Sequence, residues 1–399
     1  MKILIAEDER VSRRLLESRL KKWGYDVTAA EDGAKAWEFF QKEHFPMVIS
    51  DWMMPKMDGL ELLKKIRSIE RPGYVYTILL TARSEKDDLL AGMDSGADDF
   101  IAKPFDKDEL LARLKVGLRI TDLERNLAQR NQELGKINER MKRDLEAAAK
   151  IQQSFLPSKL PECDNVEFAW KYVPCDELAG DTLNVFFLDE EHIGLYLLDV
   201  SGHGVPAALL SVNLSRILNP NPGQSDLLKE HKPGSPTGYQ VVPPEEVADR
   251  LNQRFPLDST TEQYFTMQYG QLNIKSGILK FFSAGHPPMI HVKKDGSSKA
   301  IQVRSMPIGF MVGVGKVYDE QILALESGDR LYFYSDGIIE AMDSEREQFG
   351  VERLLENLSR ARSTPLAETL DQLSDKIDQW TNGKGCGDDL SILALEIKN

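Results

Sequence analysis

Two sets of polar residues in this 399-residue chain sit at the ends of short apolar runs, where they could do chemistry. In the N-terminal third, Glu7, Asp8 and Glu9 close or follow the run 2–7, and Asp51 ends the run 47–51. Thr81 and the pair Lys103-Pro104 close two later runs. Carboxylates converging in one crevice repel each other and call for a divalent cation. All-oxygen ligands suit Mg²⁺, which keeps some water and can bridge to a phosphoryl group. A lysine opposite can neutralise phosphoryl charge and a threonine hydroxyl can bond to it. Asp51 is then a nucleophile able to form an acyl phosphate. The second set is spread over the C-terminal half. Asp181 precedes the run 185–188, and Asp199 follows 193–198 and opens Asp199-Val-Ser-Gly-His-Gly204. Asp336 follows 331–335, and Asp388-Asp389 precedes the last run. Carboxylates without His or Cys favour Mg²⁺ or Mn²⁺ over zinc. Two such ions bridged by one acid could generate hydroxide and orient it on phosphorus, with no protein nucleophile. Asp-Gly and Gly-Asp are also ordinary turn dipeptides, so spacing alone leaves two readings open: four turn acids, or a two-metal site.

The elements that must position these residues follow from periodicity. Strand-like runs at 2–7, 25–29, 47–51, 74–82 and 100–103 alternate with helical patterns at 11–22, 33–42, 58–67, 85–95 and from about 106. Such alternation predicts a doubly wound, five-stranded parallel sheet. Its ligand crevice lies at the carboxyl ends of the strands, where the first set falls. Residues 118–155 contain no proline and one glycine. Ile120, Leu127, Leu134, Met141 and Ala148 repeat every seven residues, flanked by Leu123, Arg130, Ile137 and Asp144, of which two are polar. The stripe fits a solvated connecting helix or, as the preferred reading, a parallel coiled coil that makes a homodimer, since a lone helix would bury nothing. Leu156-Pro157 ends it. Beyond, strands are predicted at 166–173, 185–188, 192–200, 264–274, 278–283, 289–293, 330–335 and 390–397. Helices are predicted at 205–218, 245–255, 351–362 and 366–380. Residues 219–244, with six prolines and three glycines, read as a surface loop. The expectation is an α/β protein in three parts. Residues 1–118 form the parallel-sheet domain, 119–155 a helical linker, and 156–399 an α/β layered sandwich.

Charge and cysteine content narrow the function classes. Asp+Glu number 64 against 50 Lys+Arg, a net charge of −14. A nucleic-acid binder needs a basic face, and an anionic membrane surface would repel this chain. No run of about 18 apolar residues is present to span a membrane, and the N-terminus lacks the apolar stretch of a signal peptide. Cys163, Cys175 and Cys386 are three in number and lack CxxC spacing, which disfavours a disulfide framework or zinc site. The expectation is a cytoplasmic protein with reduced thiols.

Residues 1–118 resemble the CheY-like receiver domains of response regulators. Glu7-Asp8 matches the family's acidic pair, and Asp51-Trp-Met-Met-Pro-Lys-Met-Asp-Gly59 its phosphorylation motif. Thr81-Ala82 and Lys103-Pro104 match the switch threonine and the lysine, and Phe100 holds the aromatic switch position. The resemblance implies phosphorylation of Asp51 by a histidine kinase, with Mg²⁺ held by Glu7, Asp8, Asp51 and the Met53 carbonyl.

Residues 150–399 resemble PPM-type metal-dependent serine/threonine phosphatases of the RsbU-like branch. The resemblance rests on Leu178-Ala-Gly-Asp181, Asp199-Val-Ser-Gly-His-Gly-Val-Pro-Ala-Ala-Leu209, Ser283-Ala-Gly-His-Pro287, Ser335-Asp-Gly-Ile-Ile-Glu340 and Gly387-Asp-Asp-Leu390. The entry segment Ala147-Ala-Ala-Lys-Ile-Gln152 with Leu156-Pro157 matches too. It implies two Mn²⁺ or Mg²⁺ ions. Asp199 would bridge them, the Val200 carbonyl and Asp181 would serve the first, and Asp336 and Asp388 the second. The implied substrate is a phosphoserine or phosphothreonine protein of the anti-sigma-factor-antagonist type. Ala179 and Asn184 depart from the commoner Gly and Asp. The competing class is a receiver-controlled adaptor that holds a sigma-factor regulator without catalysis; such relatives lose metal acids, and this chain keeps all four.

Overall fold

The strand β1 (Lys2–Ala6) shows how the first sheet is built. Ile3 and Ile5 point to one face and Leu4 and Ala6 to the other, and all four are buried. A strand covered on both faces needs helices on both sides, which is why its sequence reads as a continuous apolar run. The chain continues through α1 (Arg10–Lys22), β2 (Asp26–Ala30), α2 (Gly33–Lys42), β3 (Met47–Asp51), α3 (Gly59–Ser68), β4 (Tyr76–Thr81), β5 (Asp99–Ala102) and α4 (Lys107–Gln153). The five strands are parallel in the order β2-β1-β3-β4-β5. Leu16 and Leu20 of α1 and Leu110 and Leu114 of α4 cover one face. Ala36 and Phe40 of α2 and Leu62 and Ile66 of α3 cover the other. Each such buried branched side chain contributes about 1.5–3 kcal/mol. The order reverses between β1 and β3, which places the crevice at their carboxyl ends.

The computed structural model describes residues 1–398 except 70–72, 83–94, 222–225, 235–237, 258–262, 311–316 and 384. The helix expected over 85–95 falls almost wholly outside the described residues. The chain forms two units, Met1–Arg140 and Met141–Asn399. The helix that starts after Asp106 and the helical segment beyond 118 are one continuous helix, α4. Leu123, Leu127, Leu134, Ile137 and Met141 are all exposed along it. No helix among the described residues is long and apolar enough to cross a membrane.

The second unit holds two antiparallel sheets with helices outside. It runs β6 (Val166–Val173), β7 (Thr182–Phe187), β8 (His192–Val200), α5 (Val205–Ile217), β9 (Lys229–His231), β10 (Tyr239–Val241), α6 (Pro244–Arg254), β11 (Phe265–Asn273) and β12 (Ile278–Ala284). It continues with β13 (Met289–Val292), β14 (Ser298–Ile301), β15 (Gln321–Ala324), β16 (Arg330–Tyr334), α7 (Asp336–Glu340), α8 (Gly350–Arg360), α9 (Leu366–Trp380) and β17 (Leu390–Ile397). The sheets are β15-β12-β11-β8-β7 and β14-β13-β16-β17-β6. Along β8, Ile193, Leu195 and Leu197 join the layer between the sheets, while Tyr196, Leu198 and Val200 face the helices α5 and α6. Along β17, Leu393, Leu395 and Ile397 enter the same inter-sheet layer, and Leu390, Ile392 and Ala394 meet α8 and α9. The period of two thus serves two cores at once.

Residues 219–244 are not simply a surface loop. They contain the β9–β10 hairpin, and Leu227, Leu228 and Val242 are buried in the core beneath α5 and α6. The strands are three residues long, too short for periodicity to rise above the surrounding proline and glycine. The strands β14 and β15, each four residues long and largely exposed, were likewise unanticipated.

Candidate functional site

In the first unit, the residues expected to converge lie at the strand ends. Ligand oxygens of Glu7, Asp8 and Asp51 lie within 4.8 Å of one another. Glu9 is absent from the cluster because its carboxylate caps α1, accepting from the Val11 and Ser12 N–H groups. Asp32 and Asp58 similarly cap α2 and α3. The Arg13 guanidinium donates to the Glu7 and Asp8 carbonyls at 2.7 and 3.0 Å, fixing the turn that presents the acids. Gly59 is required here: a side chain would run into the Asp51 carbonyl. Lys103 Nζ donates to Glu7 Oε2 at 2.7 Å and Asp51 Oδ2 at 2.8 Å. Burial opposes its charge, but the bonds to Asp51 and Glu7 prevail and hold the amine above its ordinary range. Burial, then the nearby Asp51 charge, pushes the Glu7 carboxyl up despite Lys103. Glu7 Oε1 is buried with no hydrogen-bond partner. Thr81 is buried at the end of β4, and its carbonyl accepts from Lys103 N. Phe100 packs, half-buried, on Trp52, Leu63 and Leu79. The Met53 side chain is exposed beside the site.

In the second unit, the acids come from both sheets at one end of the inter-sheet layer. Thr182 pairs with Leu198 across β7 and β8, and Tyr334 with Ile392 across β16 and β17. Antiparallel pairing therefore brings the start of one strand beside the end of the next. Asp199, Val200, Asp336 and Asp388 line one cavity of about 270 Å³. The turn after Asp199 needs its glycines, since Gly202 and Gly204 have φ of +85° and +79°. A Cβ on Gly180 would lie 2.8 Å from the Val200 carbonyl, so only glycine lets this loop pass so near it. Asp181 does not line the cavity. It is 2% exposed, and its Oδ2 has no hydrogen-bond partner.

The electrostatics of this cluster are those of crowded acids. Burial, followed by Asp336, Asp388 and Asp389, pushes Asp199 up to about 7. Burial and Asp388 push Asp336 up to about 6. Asp388 is raised by burial and Asp389, and Asp181 well above its ordinary value by burial, Asp199 and Asp389. Among the described residues that line the cavity, the one imidazole is His203, whose side chain is 80% exposed, with Nδ1 3.6 Å from Asp176. Asn184 is not at the cavity and accepts from Val185 N instead.

Two residues organise the site that sequence reasoning did not single out. Asp389 Oδ1 accepts from Cys175 N at 2.9 Å, and its Oδ2 accepts from Gly180 N at 2.8 Å and Asp181 N at 3.4 Å. One buried carboxylate thus ties the loop carrying Asp181 to the loop carrying Asp388. A doubled Asp was visible before β17; the partners, more than 200 residues away, were not. Gln152, buried near the end of α4, donates from Nε2 to the Ala179 carbonyl at 2.6 Å and to Ser211 Oγ at 2.9 Å. Its Oε1 accepts from Ala179 N at 3.2 Å.

Comparison with known proteins decides the family. Residues 189–398, more than half of the chain, match the family described as Stage II sporulation protein E (SpoIIE). The chain belongs to the SpoIIE family. Residues 3–115 match the response regulator receiver domain, so a receiver precedes the SpoIIE-type phosphatase domain. The receiver is similar to a probable transcriptional regulator, ycf27, of Porphyridium aerugineum, at 45% identity over 121 residues. That match covers 30% of this chain and 49% of the relative. The response regulator MprA of Mycobacterium ulcerans is 40% identical over 124 residues, covering 31% and 53%. The chain spans about half the length of these curated relatives. The SiaA-PP2C domain of Pseudomonas aeruginosa shares the fold of the second unit, with a TM-score of 0.53 at 18% identity, over 66% of this chain and 99% of that one.

Proposed function

We propose that this chain is a response regulator in which phosphorylation of Asp51 controls a metal-dependent protein serine/threonine phosphatase. The observation that carries the reading is the cavity lined by Asp199, Val200, Asp336 and Asp388. Asp336 and Asp388 raise the pKa of Asp199, and Asp388 that of Asp336, with no buried cation beside them among the described residues. An all-oxygen donor set of this kind fits Mg²⁺ or Mn²⁺, and the buried Asp181 Oδ2 without a partner supports the same reading. Asp199 would bridge two ions. The Val200 carbonyl and Asp181 would serve the first and Asp336 and Asp388 the second, with Asp389 holding their loops together. Bound there, the ions supply a hydroxide nucleophile and charge for the phosphoryl group. In the receiver, Glu7, Asp8, Asp51 and the Met53 carbonyl would hold Mg²⁺, Lys103 would steady the phosphoryl oxygens, and Thr81 and Phe100 would report the change.

The receiver region 1–118, the connector 119–155 and the phosphatase region 156–399 are the functional parts of this reading. The exposed stripe from Leu123 to Met141 supports a homodimer through the connector. The bonds of Gln152 to both backbone groups of Ala179 support a route from the helix end to Asp181, two residues on. A histidine kinase would be the phosphodonor, and the substrate a phosphorylated anti-sigma-factor antagonist or similar protein. The deciding experiment is Mn²⁺-dependent hydrolysis of a phosphoserine peptide by the full chain, with and without a small phosphodonor. Equal rates for wild type and Asp51→Ala under both conditions would remove the control; no hydrolysis at all would remove the enzyme.

A further inference from the structure

The strands that carry the acids have an opposite end. His192 opens β8 and Asp199 lies near its close, which at the rise of a β-strand separates them by about 23 Å. At the His192 end the sheet runs past its apolar core. Tyr269 and Phe282, directly opposite on β11 and β12, still belong to that core. The next two rows on the same face are polar. Gln271 stands opposite Lys280, and beyond it Asn273 stands between His192 and Ile278. With Val241 of β10 and Pro243 before α6, these residues line a cavity of about 470 Å³, the size of a small-molecule site.

Acceptor-only partners fix the polarity of this lining. Gln271 is 6% exposed. The Val242 carbonyl, 2.6 Å from its amide, only accepts, so the amide must meet it with nitrogen. Nε2 also donates to the Tyr269 hydroxyl at 3.1 Å. Both N–H hydrogens are then used, and no donor among the described residues reaches Oε1. A buried acceptor left unpaired is costly, and this one belongs to a side chain that lines the cavity. Asn273 is fixed in the same way. Its Oδ1 accepts from Lys275 N and Ser276 N, so Nδ2 faces His192 Nε2, which accepts at 3.2 Å. The ring proton is then on Nδ1, facing the Asp189 carboxylate at 2.9 and 3.0 Å. Charge in the lining is already matched. Lys280 pairs with Glu320 at 3.0 Å, and Asp189 also accepts from the Glu191 and His192 backbone N–H groups. A charged ligand would bring a charge with no counter-ion, and a neutral one would not.

We propose that this cavity binds a neutral, ring-bearing carboxamide. Its N–H donates to Gln271 Oε1, its carbonyl accepts from Lys280, and its ring lies against Val241, Pro243 and Ile278. Directly opposite residues stand about 4.5–5.5 Å apart at Cβ, so the acceptor of Gln271 and the donor of Lys280 fall within reach of one amide group. A carboxylate of the same shape lacks the donor. An amidinium lacks the acceptor and adds a charge. The site is independent of the acid cavity and of the phosphatase reading.

The test is ligand-observed saturation-transfer NMR on the full chain, with benzamide, benzoate and benzamidine as probes of one shape and three charges. Benzamide is expected to bind saturably with a Kd of about 1 mM, the scale of a fragment-sized ligand. Benzoate and benzamidine are expected to bind at least about 10-fold more weakly. Gln271→Met removes the acceptor at similar length, and Ile278→Trp fills the cavity from a rim position that is 38% exposed. Each is expected to weaken benzamide binding by about 10-fold or more. If Gln271→Met lowers the melting temperature through its lost bond to Val242, Ile278→Trp decides. The inference is overturned if wild type shows no saturable binding of benzamide, or if benzoate or benzamidine binds as tightly. It is equally overturned if Ile278→Trp, or Gln271→Met at unchanged melting temperature, binds benzamide as wild type does.

Discussion

The receiver and the phosphatase domain both gather carboxylates at strand ends, yet they balance the charge differently. In the receiver, Lys103 reaches two of the acids, at 2.7 and 2.8 Å. In the phosphatase domain, Asp181, Asp199, Asp336 and Asp388 are all raised by burial and mutual repulsion, with no Lys or Arg lining the cavity among the described residues. The first cluster carries its own counter-charge, and on the proposed reading it accepts a phosphoryl group. The second is assembled by hydrogen bonds such as those of Asp389, and on the proposed reading cations offset its charge. On the proposed reading, the difference separates a site that changes state from one that holds metal.

The sharpest way to break this comparison is Asp199→Asn. Removing the proposed bridging acid is expected to lower Mn²⁺-dependent hydrolysis by more than about 100-fold, since even outer partners cost 10–100-fold. Phosphorylation of Asp51, followed by phosphate-affinity electrophoresis, is expected to proceed as in wild type. Next comes Asp389→Asn, which replaces an acceptor of three backbone N–H groups with a group that also donates. Mn²⁺ affinity measured by calorimetry is expected to drop by about 10–100-fold; unchanged affinity would contradict the role given to Asp389.

Metal addition gives a smaller, pH-dependent effect. Mn²⁺ at 100 times its Kd stabilises its domain by about 2.7 kcal/mol. The phosphatase transition is expected to move further than the receiver transition, which Lys103 already supports; the reverse order would break the comparison. The sign with pH follows from the raised values. Folded, metal-free protein holds protons that the unfolded chain has lost, so stability falls as pH rises from the ordinary carboxylate range through about 6 for Asp336 and about 7 for Asp199. Those protons must leave for metal to bind, so the Mn²⁺-induced rise in melting temperature is expected to grow across the same interval and level off above it. The smallest effect is Lys103→Met, which leaves Glu7 and Asp51 without their cation. A loss of about 1–3 kcal/mol in receiver stability is expected by denaturant melting, partly recovered with Mg²⁺.

The acids were legible in the sequence because each adjoins an apolar run long enough to announce a strand, and the parallel and layered architectures followed from the same runs. What was not legible depends on partners distant in sequence. The Asp389–Gly180 bond spans 209 residues and the Gln152–Ala179 bond 27, and neither side chain has a local pattern that points to its target. The hairpin at 229–241 was hidden by its prolines. Asp181, expected to serve a metal, is buried and does not line the cavity, a placement that depends on the far-off strands around it and not on its own neighbours in sequence. The apolar stripe of α4 was legible as a pattern, and all five of its larger residues from Leu123 to Met141 are exposed.

The placement of the acids at the ends of doubly buried strands also bears on how such a protein can diverge. Asp199, Asp336 and Asp388 are held by pairing and core packing that extend away from the cavity, whereas His203 stands in the exposed turn at its mouth. Mutations that reshape that rim leave the strand ends where they are. On the proposed reading, a lineage can therefore trade one phosphoprotein for another by drift at the mouth, with the acid-lined floor inherited intact.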